Sequence, residues 1–476
     1  MSVSAVLVEA GLVLAGALAA MALDAFVSRR SAALAALAGF VLAATAGVVS
    51  AIRPEFAAGS ATIAGSSLAS TGAAVAVLAS LALVGGWRRF TSGVRGGEAS
   101  ALVALSTAGA IGALWARDLV TLLVLLEVVG LTGYALVALA GTSAARESAM
   151  KYFVQGAVAT GLAVFGLGVL YAASGGVVTY AGILAAVRQP STAALARPLL
   201  AGSALVLVAL GFKVGAFPMH SWAPDAYETA ETADAGFLAS VPKLAAMVAL
   251  AVVVLTALGR DVSVGPRVVI ALLALGSIVV GNFGALRQTS LRRMLAYSGI
   301  AQAGYALVSL TGVDRGQSIL VFAPIYGLAA LGAFLAAQAI HETDAAWDGS
   351  IAGLSGLASK RPGLSASLAV CLLSLLGLPL TAGFFAKFLV FGTAIGAGYT
   401  WLAIVGVLGS VVSFGYYGGV IRVMYLEDGD GAGRPATRAS GPASRVVAAI
   451  ACIVVILGVV PTFEGVAWLM TALGLR

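Results

Sequence analysis

The chain is short of nearly everything that polar chemistry in water requires. Only 10% of its 476 residues are charged, where a soluble globular domain carries about 25%, so a water-soluble fold is excluded. It has two cysteines, Cys371 and Cys452. Each sits inside an apolar run and reads as a small buried hydrophobe, which excludes a disulfide scaffold, and their spacing fits no iron–sulfur cluster. The two histidines, His220 and His341, have no cysteine or acidic cluster to complete a metal site. No phosphate-cradling glycine loop is present: the 60 glycines are scattered through apolar runs, where small residues let helices approach closely. The net charge of +7 has no basic face long enough to track phosphates, which excludes nucleic acid. The first apolar run has neither a basic leader nor a cleavage site and reads as a span, not a signal peptide.

What is abundant is hydrocarbon. Apolar residues make up 61% of the chain, and the mean hydropathy of +1.04 points to an all-α polytopic membrane protein, each crossing needing about 20 mostly apolar residues. Fourteen segments qualify, near 5–23, 32–52, 64–86, 99–115, 119–140, 148–173, 199–220, 234–258, 267–285, 294–312, 317–340, 364–392, 399–424 and 446–472. No connection between them is long enough for a soluble domain, so residues 1–476 form one membrane domain. Alternate loops carry 15 and 8 basic residues, the richer set beginning with Arg29 and Arg30. The positive-inside bias makes that set cytoplasmic and puts both termini outside.

The lysines are the most informative residues. Of 27 basic residues only five are lysine: Lys151, Lys213, Lys243, Lys360 and Lys387. Lys360 falls in a loop, and the other four fall within expected spans. Arginine stays charged in proteins, whereas a lysine taken out of water can lose its proton. A charge placed in mid-span costs at least about 2.5–3.5 kcal/mol on insertion scales, so such groups pair, line water or carry function. Lys213 lies in "LGFKVGAFPMHSWAPD", interrupted by Pro218 and Pro224, and Lys387 in "LPLTAGFFAKF", after Pro379. Proline frees a carbonyl that only protein or water can satisfy at membrane depth, so each lysine stands beside a broken helix and a candidate hydrated ion site. The bland alternative is a kink with a lysine snorkelling to the interface.

Glu127 sits in the middle of "LVTLLVLLEVVGLTGYAL" with no partner at helical spacing, so its partner must come from another helix. Lys243 follows Pro242. Lys151 follows Glu147 by one turn, a favourable pair near a membrane face, and an interfacial anchor is as good a reading as a functional one. His220, seven residues after Lys213, would share its face on an unbroken helix, and an imidazole can relay protons. His220, Lys151 and Tyr134 are the candidate relay groups; His341 reads as solvated. Residues 98–258 and 266–426 read as two five-helix units, each with one broken helix, which is how inverted-repeat transporters are built. Residues 1–97 and 445–476 flank them.

Several stretches carry a resemblance. "LRRMLAYSGIAQAGY", "FKVGAFPMHSWAPDAY", "LPLTAGFFAKF" and the Glu127 helix resemble the antiporter-like subunits of respiratory complex I and their cation/proton antiporter relatives. Within that group "MKYFVQGAVATGLAVFGLGVLYAASG", "VPKLAAM", "GFFAKF", "YYGGVIRVMYLE" and the opening "VEAGLVLAGALAAMALDAF" are most similar to the N subunits. The resemblance runs over nearly the whole chain. It implies a subunit of a proton-translocating NADH:quinone oxidoreductase in a bacterial inner membrane, driven by electron transfer to quinone in other subunits. Glu127, Lys213, Lys243 and Lys387 would match the family's carboxylate, its first broken-helix lysine, its connecting lysine and its second broken-helix lysine, together forming a polar line along the membrane plane. No cofactor is expected on this chain; FMN, iron–sulfur clusters and quinone would belong to partner subunits. The expected neighbours are the antiporter-like subunit M, the small subunits K, J and A, and the lipid bilayer. Departures are "ETAETADAG" where the family has a proline-rich loop, Thr132 where it has proline after the carboxylate, and "LPL" where it has a proline pair. Other readings are a subunit of a multi-chain sodium/proton antiporter or of a membrane-bound hydrogenase, and a scaffold that has lost transport. The scaffold gains nothing by keeping charges in lipid.

Overall fold

The computed structural model describes residues 3–52, 65–190, 193–258, 264–312, 316–428 and 441–472. The two ends of the chain lie outside these residues, and so do Arg53, Arg260, Arg315, Arg434, Arg438 and Arg476 of the loop charge count. Among the described residues nineteen α-helices run in order. The first five are α1 (Val3–Phe26), α2 (Arg29–Ile52), α3 (Gly65–Gly85), the short α4 (Trp87–Ser92) and α5 (Gly96–Leu114). Next come α6 (Leu119–Ala138), α7 (Ser143–Ala173), the short α8 (Tyr180–Arg188), α9 (Ala196–Val214), α10 (Trp222–Thr229) and α11 (Thr232–Val253). The rest are α12 (Val264–Leu286), α13 (Leu291–Ser309), α14 (Gln317–Thr343), α15 (Leu357–Lys360), α16 (Pro362–Leu376), α17 (Ala382–Gly396), α18 (Thr400–Leu426) and α19 (Pro442–Ala472). Among the described residues the only strand-like pairings are two isolated bridges, Asp118 with Thr179 and Ser290 with Ser350. Among the described residues eleven helices are long and apolar enough to cross a membrane, and three further apolar helices are shorter.

Local chemistry sets the helix ends. Asp118 accepts from the Thr121 amide at 2.8 Å and Thr142 from the Ala145 amide at 3.0 Å, so α6 and α7 start on side-chain caps. Both helix breaks start on a left-handed glycine, Gly215 after α9 (φ 71°) and Gly377 after α16 (φ 87°), a conformation that costs glycine nothing. The expected span at 199–220 therefore ends earlier, at Val214, and the expected 364–392 is two helices, α16 and α17. Cysteine burial also needs correcting. Cys371 is buried, but Cys452 is exposed, because α19 packs with one face only and turns this residue outward.

α11 is the internal pillar. Its whole spanning window is buried, and it packs against α3, α5, α6, α9 and α10 on one hand and α13 and α14 on the other. Pro242 lies inside it and removes the amide that the Leu238 carbonyl would use. The buried hydroxyl of Tyr227 in α10 donates to that carbonyl at 3.2 Å, so the proline is accommodated and the pillar continues.

Candidate functional site

Glu127 and Lys213 meet. Lys213, in the last turn of α9, donates from Nζ to Glu127 Oε1 at 2.7 Å and to the Leu126 carbonyl at 3.2 Å. Thr160 of α7 donates to the same carboxylate oxygen at 2.6 Å. The Lys213 side chain is 9% exposed and that of Glu127 28%, so the carboxylate is the less buried partner. The partner that Glu127 lacks on its own helix is thus supplied by α9, as expected. Placing the ammonium at a helix C-terminus also sets it against the negative end of the α9 dipole.

Lys243, in the buried middle of α11, is 1% exposed. Its Nζ has no hydrogen-bond partner in the structure and lies 5.5 Å from the ring centroid of Tyr227. The amine points between the two halves of the fold: an added Cβ on Gly215 would come within 3.5 Å of it, and one on Gly299 of α13 within 2.8 Å.

Lys387, 5% exposed, belongs to α17 but turns back across the second break. Its Nζ donates to the Leu376 carbonyl, the last of α16, at 2.9 Å and to Ser410 Oγ at 3.2 Å, and it sits 4.4 Å over the Tyr305 ring. Gln302 donates to the neighbouring Leu375 carbonyl at 2.7 Å. Two of the carbonyls that the end of α16 leaves without helical partners are therefore met by side chains. Behind Tyr305 a polar cluster continues: Asn282 donates to the Tyr305 hydroxyl at 3.2 Å and accepts from Tyr416 at 3.1 Å, and Ser298 bonds Tyr417. A small cavity, with room for about one water, adjoins Lys387 and is lined also by Gln302, Tyr326 and Ser374.

The three relay candidates separate. Tyr134 is buried near the first pair; an added Cβ on Gly130 would meet both its hydroxyl and Lys213 Nζ at 3.0 Å. His220 does not share a face with Lys213, because the helix ends at Val214. It lies in the turn, its Nδ1 3.2 Å from the Pro218 carbonyl. Lys151 is 51% exposed and joins an outer ion network, bonded to Glu147 at 2.9 Å and to Asp225 at 3.2 Å, while Arg293 bonds Asp225 and Glu228. It is part of no buried line.

Sequence reasoning missed several groups. Arg89 of α4 and Asp234 of α11 form a buried ion pair at 3.0 Å, with Arg89 also donating to the Val94 carbonyl at 2.8 Å. Arg89 reads in the sequence as one of many loop arginines, and nothing local marks its partner 145 residues on. Thr160, Tyr227, Tyr305 and Ser410 were equally silent: each is an ordinary helix residue until another helix delivers a charge to it.

The membrane family described as "NADH:quinone oxidoreductase/Mrp antiporter, TM" matches residues 116–413. Subunit N of NADH-quinone oxidoreductase from Sphingopyxis alaskensis is 39% identical over 345 residues, 72% of this chain and 71% of that one. Its counterpart from Methylobacterium nodulans is 36% identical over 359 residues, 75% and 72%. Among solved structures, a chain of respiratory complex I from Thermus thermophilus is 29% identical with a TM-score of 0.77, covering 95% of this chain and 97% of that chain. A chain of the archaeal membrane-bound sulfane sulfur reductase has a TM-score of 0.85 at 23% identity, covering 97% and 95%, a likeness of fold. Family match, identity and coverage agree, and the chain belongs to the NADH:quinone oxidoreductase/Mrp antiporter membrane family, among the N subunits of NADH-quinone oxidoreductase.

Proposed function

We propose that this chain is a membrane-arm subunit of an NADH:quinone oxidoreductase and translocates protons across the membrane, driven by electron transfer to quinone in partner subunits. The observation that carries this reading is the placement of three buried lysines, Lys213 in the last turn of α9, Lys243 within α11 and Lys387 against the end of α16, each with a different set of partners. Lys213 has a carboxylate, Lys387 has a carbonyl, a hydroxyl and an aromatic face, and Lys243 has only the Tyr227 ring. Ionisable groups are expensive inside a membrane and mark proton relays there. In this reading Glu127 holds the proton on Lys213. Loss or neutralisation of that negative charge releases it toward Lys243, and Lys387 is the terminal carrier. Tyr134 adjoins the first pair, while His220 and Lys151 stand nearer the faces, as entry or anchoring groups.

The helix order supports the repeat reading. α5, α6, α7, the broken α9–α10 and α11 form one five-helix series, and α12, α13, α14, the broken α16–α17 and α18 form another, taken as inverted repeats over residues 98–258 and 266–426. The lysine precedes the break in the first series and follows it in the second. FMN, iron–sulfur clusters and quinone are assigned to partner chains, among them subunits M, K, J and A, with this chain doing no redox chemistry. The host membrane is the bacterial inner membrane with both termini outside.

The test is purification of the assembled complex through a tag on this chain, followed by quinone-dependent proton uptake in vesicles. Co-purification of a flavin- and iron–sulfur-containing arm, and uptake that falls when this chain is deleted, are expected. Isolation with antiporter subunits and no redox arm would contradict the reading.

A further inference from the structure

Two connections between helices meet at one end of the bundle. Val27 and Ser28 join α1 to α2, and the six-residue α4 lies between α3 and α5. Because α2, α3 and α5 are each long and apolar enough to cross a membrane, both connections fall where the hydrocarbon ends. Arg29 ties them together, donating from Nη1 to the Gly93 carbonyl at 3.1 Å. The corner so formed carries four exposed arginines, Arg29, Arg30, Arg88 and Arg95. Arg89, in the same stretch, is turned inward to Asp234. The local carboxylates are placed elsewhere: Asp24 lies against Gly97, and Glu98 stands in the first turn of α5, both at the positive end of that helix. Among the described residues Lys151, Arg293 and Arg422 each have a carboxylate partner, whereas the guanidinium groups of Arg30, Arg88 and Arg95 have none.

Next to these charges the surface is hydrocarbon. Leu34 and Val41 follow Arg30 by one and three turns on the same face of α2, and both are exposed. Phe26 and Val94, beside Arg29 and Arg95, are exposed as well. Trp87 stands half-buried beside Arg88, at the depth where tryptophan gathers in membrane proteins.

We propose that this corner binds an anionic phospholipid, its phosphate held by Arg30, Arg88 and Arg95 and an acyl chain laid along the Leu34–Val41 face of α2. A guanidinium presents paired donors that match phosphate oxygens. A soluble anion would satisfy the arginines but leave the apolar track bare, and so would an acidic peptide; a lipid covers both. Basic residues at a turn also orient a membrane chain, but orientation requires only their charge. It does not require the Arg29 clamp that holds two basic connections side by side. The site is independent of the proposed proton function.

The test places the assembled complex in phosphatidylcholine nanodiscs doped with photoactivatable phosphatidylglycerol, or with photoactivatable phosphatidylcholine of the same chains, and maps the labelled peptides by mass spectrometry. Residues 29–41 and 87–95 are expected to be labelled in preference by phosphatidylglycerol. Combining Arg30→Gln, Arg88→Gln and Arg95→Gln should reduce that preference by about fivefold per charge removed while the lipid is limiting, with labelling of the rest of the chain unchanged. Arg30→Lys, Arg88→Lys and Arg95→Lys together should retain more of it than the glutamine set. Equal labelling by the two lipids, or a preference that survives the triple glutamine variant, would overturn the site. Cross-links from the corner to a partner subunit in place of lipid would overturn it too. The comparison of the two lipids on the unaltered complex needs no variant, so poor assembly of the triple variant would leave the proposal open to refutation.

Discussion

Lys387 Nζ reaches back over its own helix break to the Leu376 carbonyl, 2.9 Å away and eleven residues earlier. Lys213 stands in the last turn of α9, where the helix dipole favours a cation, and turns its ammonium to Glu127 and the Leu126 carbonyl of α6. Lys387 meets a carbonyl that the end of α16 leaves without a helical partner. The difference lies in what else is offered: a carboxylate to Lys213, and only neutral groups to Lys387.

Glu127 should therefore be sensitive to charge and less so to shape. Glu127→Gln removes the charge that holds the Lys213 ammonium and is predicted to lower coupled proton pumping strongly at normal assembly, with Glu127→Asp milder. Thr160→Val, which removes only the hydroxyl donor to the same oxygen, should fall between wild type and Glu127→Gln. Pumping and turnover in membrane vesicles check the order. Wild-type values for Glu127→Gln would remove the carboxylate from the mechanism.

Arg89 and Asp234 are predicted to matter for stability and not for protons. Removing one member leaves a buried charge alone, a loss of about 3–5 kcal/mol, whereas replacing both with apolar residues is often close to neutral. Arg89→Met should sharply reduce the assembled complex, and Arg89→Met with Asp234→Leu should recover much of it. A double variant as poor as the single one would assign the pair a role beyond charge balance.

Tyr227→Phe keeps the ring below Lys243 but strands the Leu238 carbonyl that Pro242 freed. An unsatisfied buried polar group costs about 1–3 kcal/mol. The variant complex should therefore lose activity at a lower temperature than wild type, with pumping per turnover unchanged at low temperature. Tyr227→Phe with Pro242→Ala, which restores the helical amide, should return the lost thermal stability. An unchanged inactivation temperature in Tyr227→Phe would mean that the hydroxyl is dispensable.

Much of this architecture is legible in the sequence because the bilayer allows few alternatives. Apolar runs place the spans, and a charge within such a run stands out, which is why Glu127, Lys213, Lys243 and Lys387 can be found without a structure. Prolines near Lys213 and Lys387 mark the breaks but not the turns that make them. The left-handed Gly215 ends α9 before His220, so the expected common face dissolves. Lys151 satisfies the spacing rule with Glu147 and turns to an exposed network, since a helix pair near a membrane face needs no buried partner. What stays hidden is tertiary: Arg89 with Asp234, Tyr227 with a proline-freed carbonyl, and Gly299 facing an amine from another helix. None of these has a local signature, because each is made by residues far apart in the chain.

The central claim is that the buried lysines carry protons and are not static charges. Arginine at either position keeps the positive charge, and at Lys213 the ion pair with Glu127, yet cannot give its proton up. The decisive measurement is quinone-dependent proton uptake by membrane vesicles bearing Lys213→Arg or Lys243→Arg, with assembled complex quantified alongside. The account predicts assembled complex with most of this chain's proton translocation lost in both. Full proton uptake in both variants would contradict it and leave the lysines as structural charges.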